Sequence, residues 1–132
     1  MAAIVVELAV APSLGRGTVA GLPAPQTVVT IDGRRLTNLP AMHVELARAF
    51  GFPDYYGANL DALLDCLSSL DAPDDGLSTV HVGAGGLVVL AIDHAEAAAA
   101  AVFATLCDVV AAANLRVRER RGAGLIAIAG AR

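Results

Sequence analysis

Residues 53–70 read PDYYGANLDALLDCLSSL, and the fold turns on how the second half of that stretch is oriented. Stepping 100° per residue from Leu60, Leu63, Leu64, Cys66, Leu67 and Leu70 fall with Leu60 on one arc, and Asp61, Asp65 and Ser68 fall together on the opposite side. The pattern predicts a helix over 60–70 that buries a leucine face, Leu60, Leu63 and Leu67 included, and shows two carboxylates and a hydroxyl to solvent. Asn59 stands where a helix N-cap belongs. That places Asp61 in the first turn, where the helix dipole favours a negative charge by up to ~1 kcal/mol. Asp65 has no such local reason: it lies beyond the first turn, is a poor helix former and repels Asp61 one turn away. The last basic residue before the pair is Arg48 and the next is Arg116. The sequence therefore predicts acids with no counter-ion of their own.

On the N-terminal side, Leu39, Met42, Leu46, Ala49 and Phe50 keep helical spacing, with Pro40 tolerable in the first turn and Gly51 and Pro53 as the stop. TVVTI from Thr27, followed by Asp32-Gly33, reads as a strand running into a turn. Before it, residues 11–26 are rich in Gly and Pro and read as a linker, and IVVELAV at 4–10 as a strand. On the C-terminal side, DAPDDG at 71–76 breaks the chain. STVHV at 78–82 and LVVLAI at 87–92 read as two strands around a GAGG turn. That turn lacks the Lys-Ser/Thr of a phosphate loop. Asp93 with Glu96 resembles a capping box opening a long Ala-rich helix that Asn114 ends. LRVRE at 115–119 alternates like a half-exposed strand, and GLIAIA at 124–129 reads as a uniformly apolar one.

A chain of 132 residues suits one domain, and 56% hydrophobic residues supply ample material for its core. Trp is absent and aromatics make up 4%, so that core must come from Ala, Val, Leu and Ile. Two cysteines do not make a disulfide framework, which points to a reducing compartment, the cytoplasm. The opening MAAIVVELAVAPSLG has no basic n-region and carries Glu7, so it makes a poor signal peptide. Residues 97–115 are nearly uncharged, but their bulk is Ala and Asp108 lies among them, so they read as a buried amphipathic helix rather than a membrane span. Charge is segregated. Residues 49–115 hold nine acids and no Lys or Arg, while the nine Arg lie outside with only four acids beside them. Such blocks create a field that steers a partner, and an acidic centre suits a basic protein rather than nucleic acid.

The segments TIDGRRL (30–36) and LARAFGFPDYYGANLDALLDCL (46–67) closely resemble barstar-family proteins, intracellular inhibitors of barnase-type ribonucleases. The resemblance covers about Thr27 to Leu70. It implies an α/β fold, a small, mainly parallel sheet with helices packed on it, for a barstar-like domain over 25–132. Residues 1–24 form an N-terminal extension, and extra strands are expected at both ends. It further implies that this helix and the loop before it plug a ribonuclease active site, with acids standing where RNA phosphates would stand. Carried over residue by residue, Tyr55, Gly57, Asn59, Leu60, Asp61, Leu64, Asp65 and Ser68 fall on partner-binding positions, and Asp65 resembles the central phosphate mimic. On this reading the acids lack counter-ions because those belong to another protein. The family prototype has Trp where this chain has Leu64 and Leu70. It also has a late glutamate contact, whose nearest match here falls around Val109, beside Asp108.

The resemblance implies a basic ribonuclease or ribonuclease-like toxin as partner, with no catalysis, cofactor, direct nucleic-acid contact or membrane. The alternative keeps the fold and makes the domain an immunity or regulatory adaptor for a basic protein that is not a ribonuclease. A hydrolase using Asp61 and Asp65 is a weak third reading, because acid duty requires shielding from water and both sit on a convex helix face. His43, His81 and His94 have no metal-ligand spacing, and Cys66 and Cys107 read as core residues.

Overall fold

The computed structural model describes residues 4–7, 26–82, 86–121 and 126–131. Four strands form one sheet: β1 (Ile4–Glu7), β2 (Gln26–Asp32), β3 (Leu87–Asp93) and β4 (Ile126–Ala131), in the order β1-β4-β3-β2. β2, β3 and β4 run parallel, in register Ile31 to Ile92 and Leu90 to Ile128, and β1 closes the far edge antiparallel to β4. Parallel neighbours need crossovers. Helices α1 (Leu39–Phe50) and α2 (Leu60–Leu67) lie in the first, and α3 (Ala100–Arg121) makes the second. The interior strands β3 and β4 are continuous apolar runs, buried from Leu87 to Leu90 and from Ile126 to Ala129. β2 alternates instead: Val29 and Ile31 face the core and Val28 and Thr30 are exposed, as a strand at the sheet edge allows. The mainly parallel α/β sheet expected from the sequence is therefore present, with residues 126–129 of the GLIAIA stretch in an interior strand and residues 124–125 outside the described residues.

α1 starts and stops where its sequence says. The Asn38 side chain accepts the Ala41 N–H at 2.8 Å, Pro40 sits in the first turn, and Gly51 ends the helix in the left-handed region at φ 66°. Gly51 is required for space as well, since a Cβ there would lie 2.0 Å from the Thr79 hydroxyl. That packing explains why STVHV is not a strand. Ser78 and Thr79 both donate to the carbonyl of Phe50, and the Val82 N–H donates to Leu70. The segment's polar groups close the end of α1 instead of entering a ladder.

α3 departs from the sequence reading at both ends. Asp93 caps nothing. It is the last residue of β3, and a left-handed His94, a 3-10 turn over Ala95–Ala97 and an extended Ala98 separate it from the helix. At the other end, Asn114 does not terminate α3. It is fully buried inside it, accepting the Ile126 N–H and donating to the Ile126 carbonyl, each at 2.8 Å. LRVRE is helical, because Val117 continues the buried stripe of Val110, Ala113 and Asn114. Five residues are too few to separate a period of two from one of 3.6. By length and composition α3 is apolar enough to cross a membrane, yet here its stripe packs on α2 and β4. Cys66 is buried, Cys107 is half-buried against the same core, and neither forms a disulfide.

The proposed linker at 11–26 lies outside the described residues except for Gln26, which begins β2. Of IVVELAV, residues 4–7 form β1 and the rest lies outside them, as do residues 83–85 of GAGG.

Candidate protein-binding face

The loop between α1 and α2 is built on an aromatic stack. Phe52 lies 5.7 Å from Phe50 and 4.8 Å from Tyr56, and the Tyr56 hydroxyl shares a 2.5 Å hydrogen bond with His43 Nδ1. Burial lowers the pKa of His43 and raises that of Tyr56, so both stay neutral near pH 7 and the bond carries no charge. The Tyr56 N–H donates to the Pro53 carbonyl, which closes a turn. With Tyr56 held inward, Tyr55 is thrown outward and is 74% exposed. Two adjacent tyrosines thus take different duties: one fastens the loop and the other is displayed.

The chain then enters α2 through Gly57, Ala58 and Asn59. Asn59 caps the helix as expected, accepting the Ala62 N–H at 2.8 Å. A Cβ on Gly57 would come within 2.9 Å of the Asn59 side-chain nitrogen, so glycine leaves the cap room. Ala58 is held at φ 50°, where an L-residue is strained by roughly 1–2 kcal/mol relative to its usual regions. Ala58→Gly is therefore expected to stabilise the free protein by ~0.5–1 kcal/mol, read as a melting temperature higher by about 2–5 °C. A lower melting temperature would show that the Ala58 methyl packs usefully.

On α2 itself, Leu63 and Leu67 are fully buried and Asp61 and Asp65 are exposed, as the helical pattern requires. The helix is shorter than expected, ending at Leu67 with Ser68 as its C-cap. Three expectations need correction. Leu60 is not buried. It is the first residue of the helix, 41% exposed, and lines an apolar groove of about 530 Å³ with Leu39, Pro40 and Val44 of α1. Ser68 is not on the solvent side. It is buried, and its hydroxyl donates to the carbonyls of Leu64 and Asp65, because the turn that ends α2 folds it inward. Most consequentially, Asp65 does have an internal counter-ion.

Arg116 of α3 places Nη1 2.8 Å from Asp65 Oδ1 and 3.2 Å from Ser68 Oγ. One turn later, Arg120 donates to the Ser68 carbonyl at 3.0 Å and to Asp71 at 2.7 Å. The two arginines share a helix face at i,i+4, a relation that a strand reading of LRVRE hides. The Asp65–Arg116 side chains are 63% and 45% exposed, so the pair contributes only ~0–1 kcal/mol. Asp54 and Asp61 are exposed and make no ion pair among the described residues. Among the described residues, Asp54 and Asp61 are thus without a counter-ion, whereas Asp65 and Asp71 are partly neutralised by α3.

Of the expected site residues, Tyr55, Gly57, Asn59, Leu60, Asp61 and Asp65 are exposed on the loop and helix, while Leu64 is half-buried against the core. Val109 is buried and its neighbour Asp108 is exposed on α3. The other charged cluster, around Asp32, is satisfied within itself. Arg34 clasps Asp32 with its backbone N–H, Nε and Nη2, and its hydrogen bonds hold that carboxyl down at about 2. Glu45 accepts the Asp32 N–H and pairs with Arg48 at 2.8 Å. Among the described residues, no group of His, Cys, Asp and Glu could hold a metal ion.

Comparison with known proteins identifies the family. A curated protein of Bacillus subtilis (strain 168), named "Putative ribonuclease inhibitor YrdF", is 50% identical over 46 residues, which make up 34% of this chain and 50% of that protein. The match thus spans about half the length of that relative. The family model described as Barstar (barnase inhibitor) matches residues 26–128, from the first residue of β2 into β4. With that match covering most of the chain, the protein belongs to the barstar family.

Proposed function

We propose that this protein is a stoichiometric inhibitor of a basic, barnase-type ribonuclease, and that it has no catalytic activity of its own. The observation that carries this reading is a Tyr55 displayed on the loop that leads into α2, with Asp61 and Asp65 exposed on that helix. Asp61 and Asp65 stand four residues apart, a rise of about 6 Å along the helix, so they can meet two cations of a nucleic-acid-cleaving site together. Tyr55 supplies a large, stiff contact of the type that anchors interfaces, and Leu60 adds exposed apolar area at the start of α2. The carboxylates offer such an enzyme the negative charge that RNA phosphates would offer, on a scaffold it cannot cleave. Two cysteines without a disulfide suit action in a reducing compartment, the cytoplasm.

The test is RNA cleavage by a barnase-type ribonuclease with the protein added in increasing amounts. Activity should fall to its floor at one inhibitor per enzyme. Undiminished cleavage at excess inhibitor would move the reading to a regulatory adaptor for another basic protein. Turnover of RNA by the protein alone would contradict both. Because the nine central acids create a long-range field, association should slow by tenfold or more between about 0.01 M and 0.15 M salt, as the Debye length falls from ~30 to ~8 Å. Stopped-flow association rates check this, and rates indifferent to salt would remove electrostatic steering from the mechanism.

A further inference from the structure

We infer that Arg116 is a built-in rival for the partner's cation at Asp65, so that binding is an exchange of one positive group for another. This rests on α2 being the ribonuclease-binding face. Arg116 holds Asp65 through a single nitrogen, Nη1, which also reaches the Ser68 hydroxyl. Among the described residues, the other oxygen of Asp65 and the other two nitrogens of Arg116 have no partner. The contact is thus one-pronged and water-exposed at both ends, which makes it easy to release. Arg120 is placed differently. It grips the Ser68 carbonyl and an Asp71 side chain only 16% exposed, so it fastens α3 to the end of α2 whether or not Arg116 stays.

The division of charge gives binding an order. A basic surface meets the unpaired Asp54 and Asp61 first. It then reaches Asp65, where its cation must displace Arg116 or sit against it at the cost of like-charge repulsion. A cationic centre dense enough to displace one exposed guanidinium gains the second carboxylate, whereas a weakly basic surface does not. Arg116 therefore sets a threshold on which basic proteins bind tightly.

The experiment compares Arg116→Gln with Arg118→Gln. Both remove one positive charge from α3, but Arg118 makes no contact with Asp65. Against a barnase-type ribonuclease at low salt, Arg116→Gln should tighten the dissociation constant by about threefold to tenfold, and Arg118→Gln by less than twofold. In a structure of the complex, the Arg116–Asp65 distance should exceed 4 Å. Weaker binding by Arg116→Gln, an equal gain from Arg118→Gln, or an intact pair in the complex overturns the inference. Those results leave the parent reading standing if the wild-type protein still inhibits. Failure of the wild-type protein to bind the enzyme removes both.

Discussion

Asp65→Ala is expected to weaken binding to a barnase-type ribonuclease by at least ~2 kcal/mol, some thirtyfold in the dissociation constant. The size comes from what is left behind. In the proposed binding mode this face covers the partner's cations, and removing the carboxylate would strand them without an anion in a desolvated site. The same change should hardly move the free protein. It gives up an exposed pair with Arg116 worth ~0–1 kcal/mol. In return it relieves the repulsion from Asp61 and installs a better helix former, each by a few tenths of a kcal/mol. Stability should therefore stay within about 0.5 kcal/mol of wild type. Asp61→Ala should separate from it. Asp61 sits in the first turn behind the Asn59 cap, so its loss removes a favourable dipole interaction and lowers stability by up to ~1 kcal/mol along with binding. Melting temperature and dissociation constant, measured on both variants, make the comparison. If Asp65→Ala unfolds the domain easily yet binds as before, Asp65 serves only the Arg116 contact and the site has been misassigned.

The contrast between Asp65 and Leu63 shows what sequence alone can convey. That Leu63 and Leu67 face inward follows from a period that the helix enforces locally, and the cap at Asn59 follows from a side chain bonding the amide three residues on. These features were legible because cause and effect lie within one turn. The partner of Asp65 lies 51 residues away, on a helix whose last turns look like a strand when read in isolation. Leu60 misleads for a related reason. A helical wheel treats every position as if it had turns on both sides, whereas the first residue of α2 meets α1 across a groove. The alternating LRVRE and the helix-ending Asn114 fail together. Both are local preferences overruled by the docking of α3 on β4, which nothing near them in sequence announces.

That docking sets the second large effect. Asn114→Leu is expected to destabilise the protein by ~2–5 kcal/mol. The amide side chain is fully buried and answers both polar groups of Ile126, the first residue of β4: its oxygen takes the N–H and its nitrogen serves the carbonyl. Leucine has similar bulk, so loss of volume is not the cause. The cost arises because two buried backbone groups lose their partners, at about 1–3 kcal/mol each. In a domain whose total stability is of order 5–15 kcal/mol, that is a large share. With a typical small-protein dependence on urea of 1–3 kcal/mol per molar, the unfolding midpoint should fall by about 1–3 M. Ser or Ala at 114 should behave similarly, since neither can reach both groups, whereas Gln keeps the amide but lengthens its reach. Ribonuclease binding, measured where the variant is still folded, should change by less than about twofold, because Asn114 lies on the buried stripe of α3 and not on the Arg116 face. A midpoint shift below ~0.3 M would mean that the sheet holds β4 without the clasp. A large loss of binding per folded molecule would mean instead that α3 carries strain from β4 through to Arg116, and hence to Asp65.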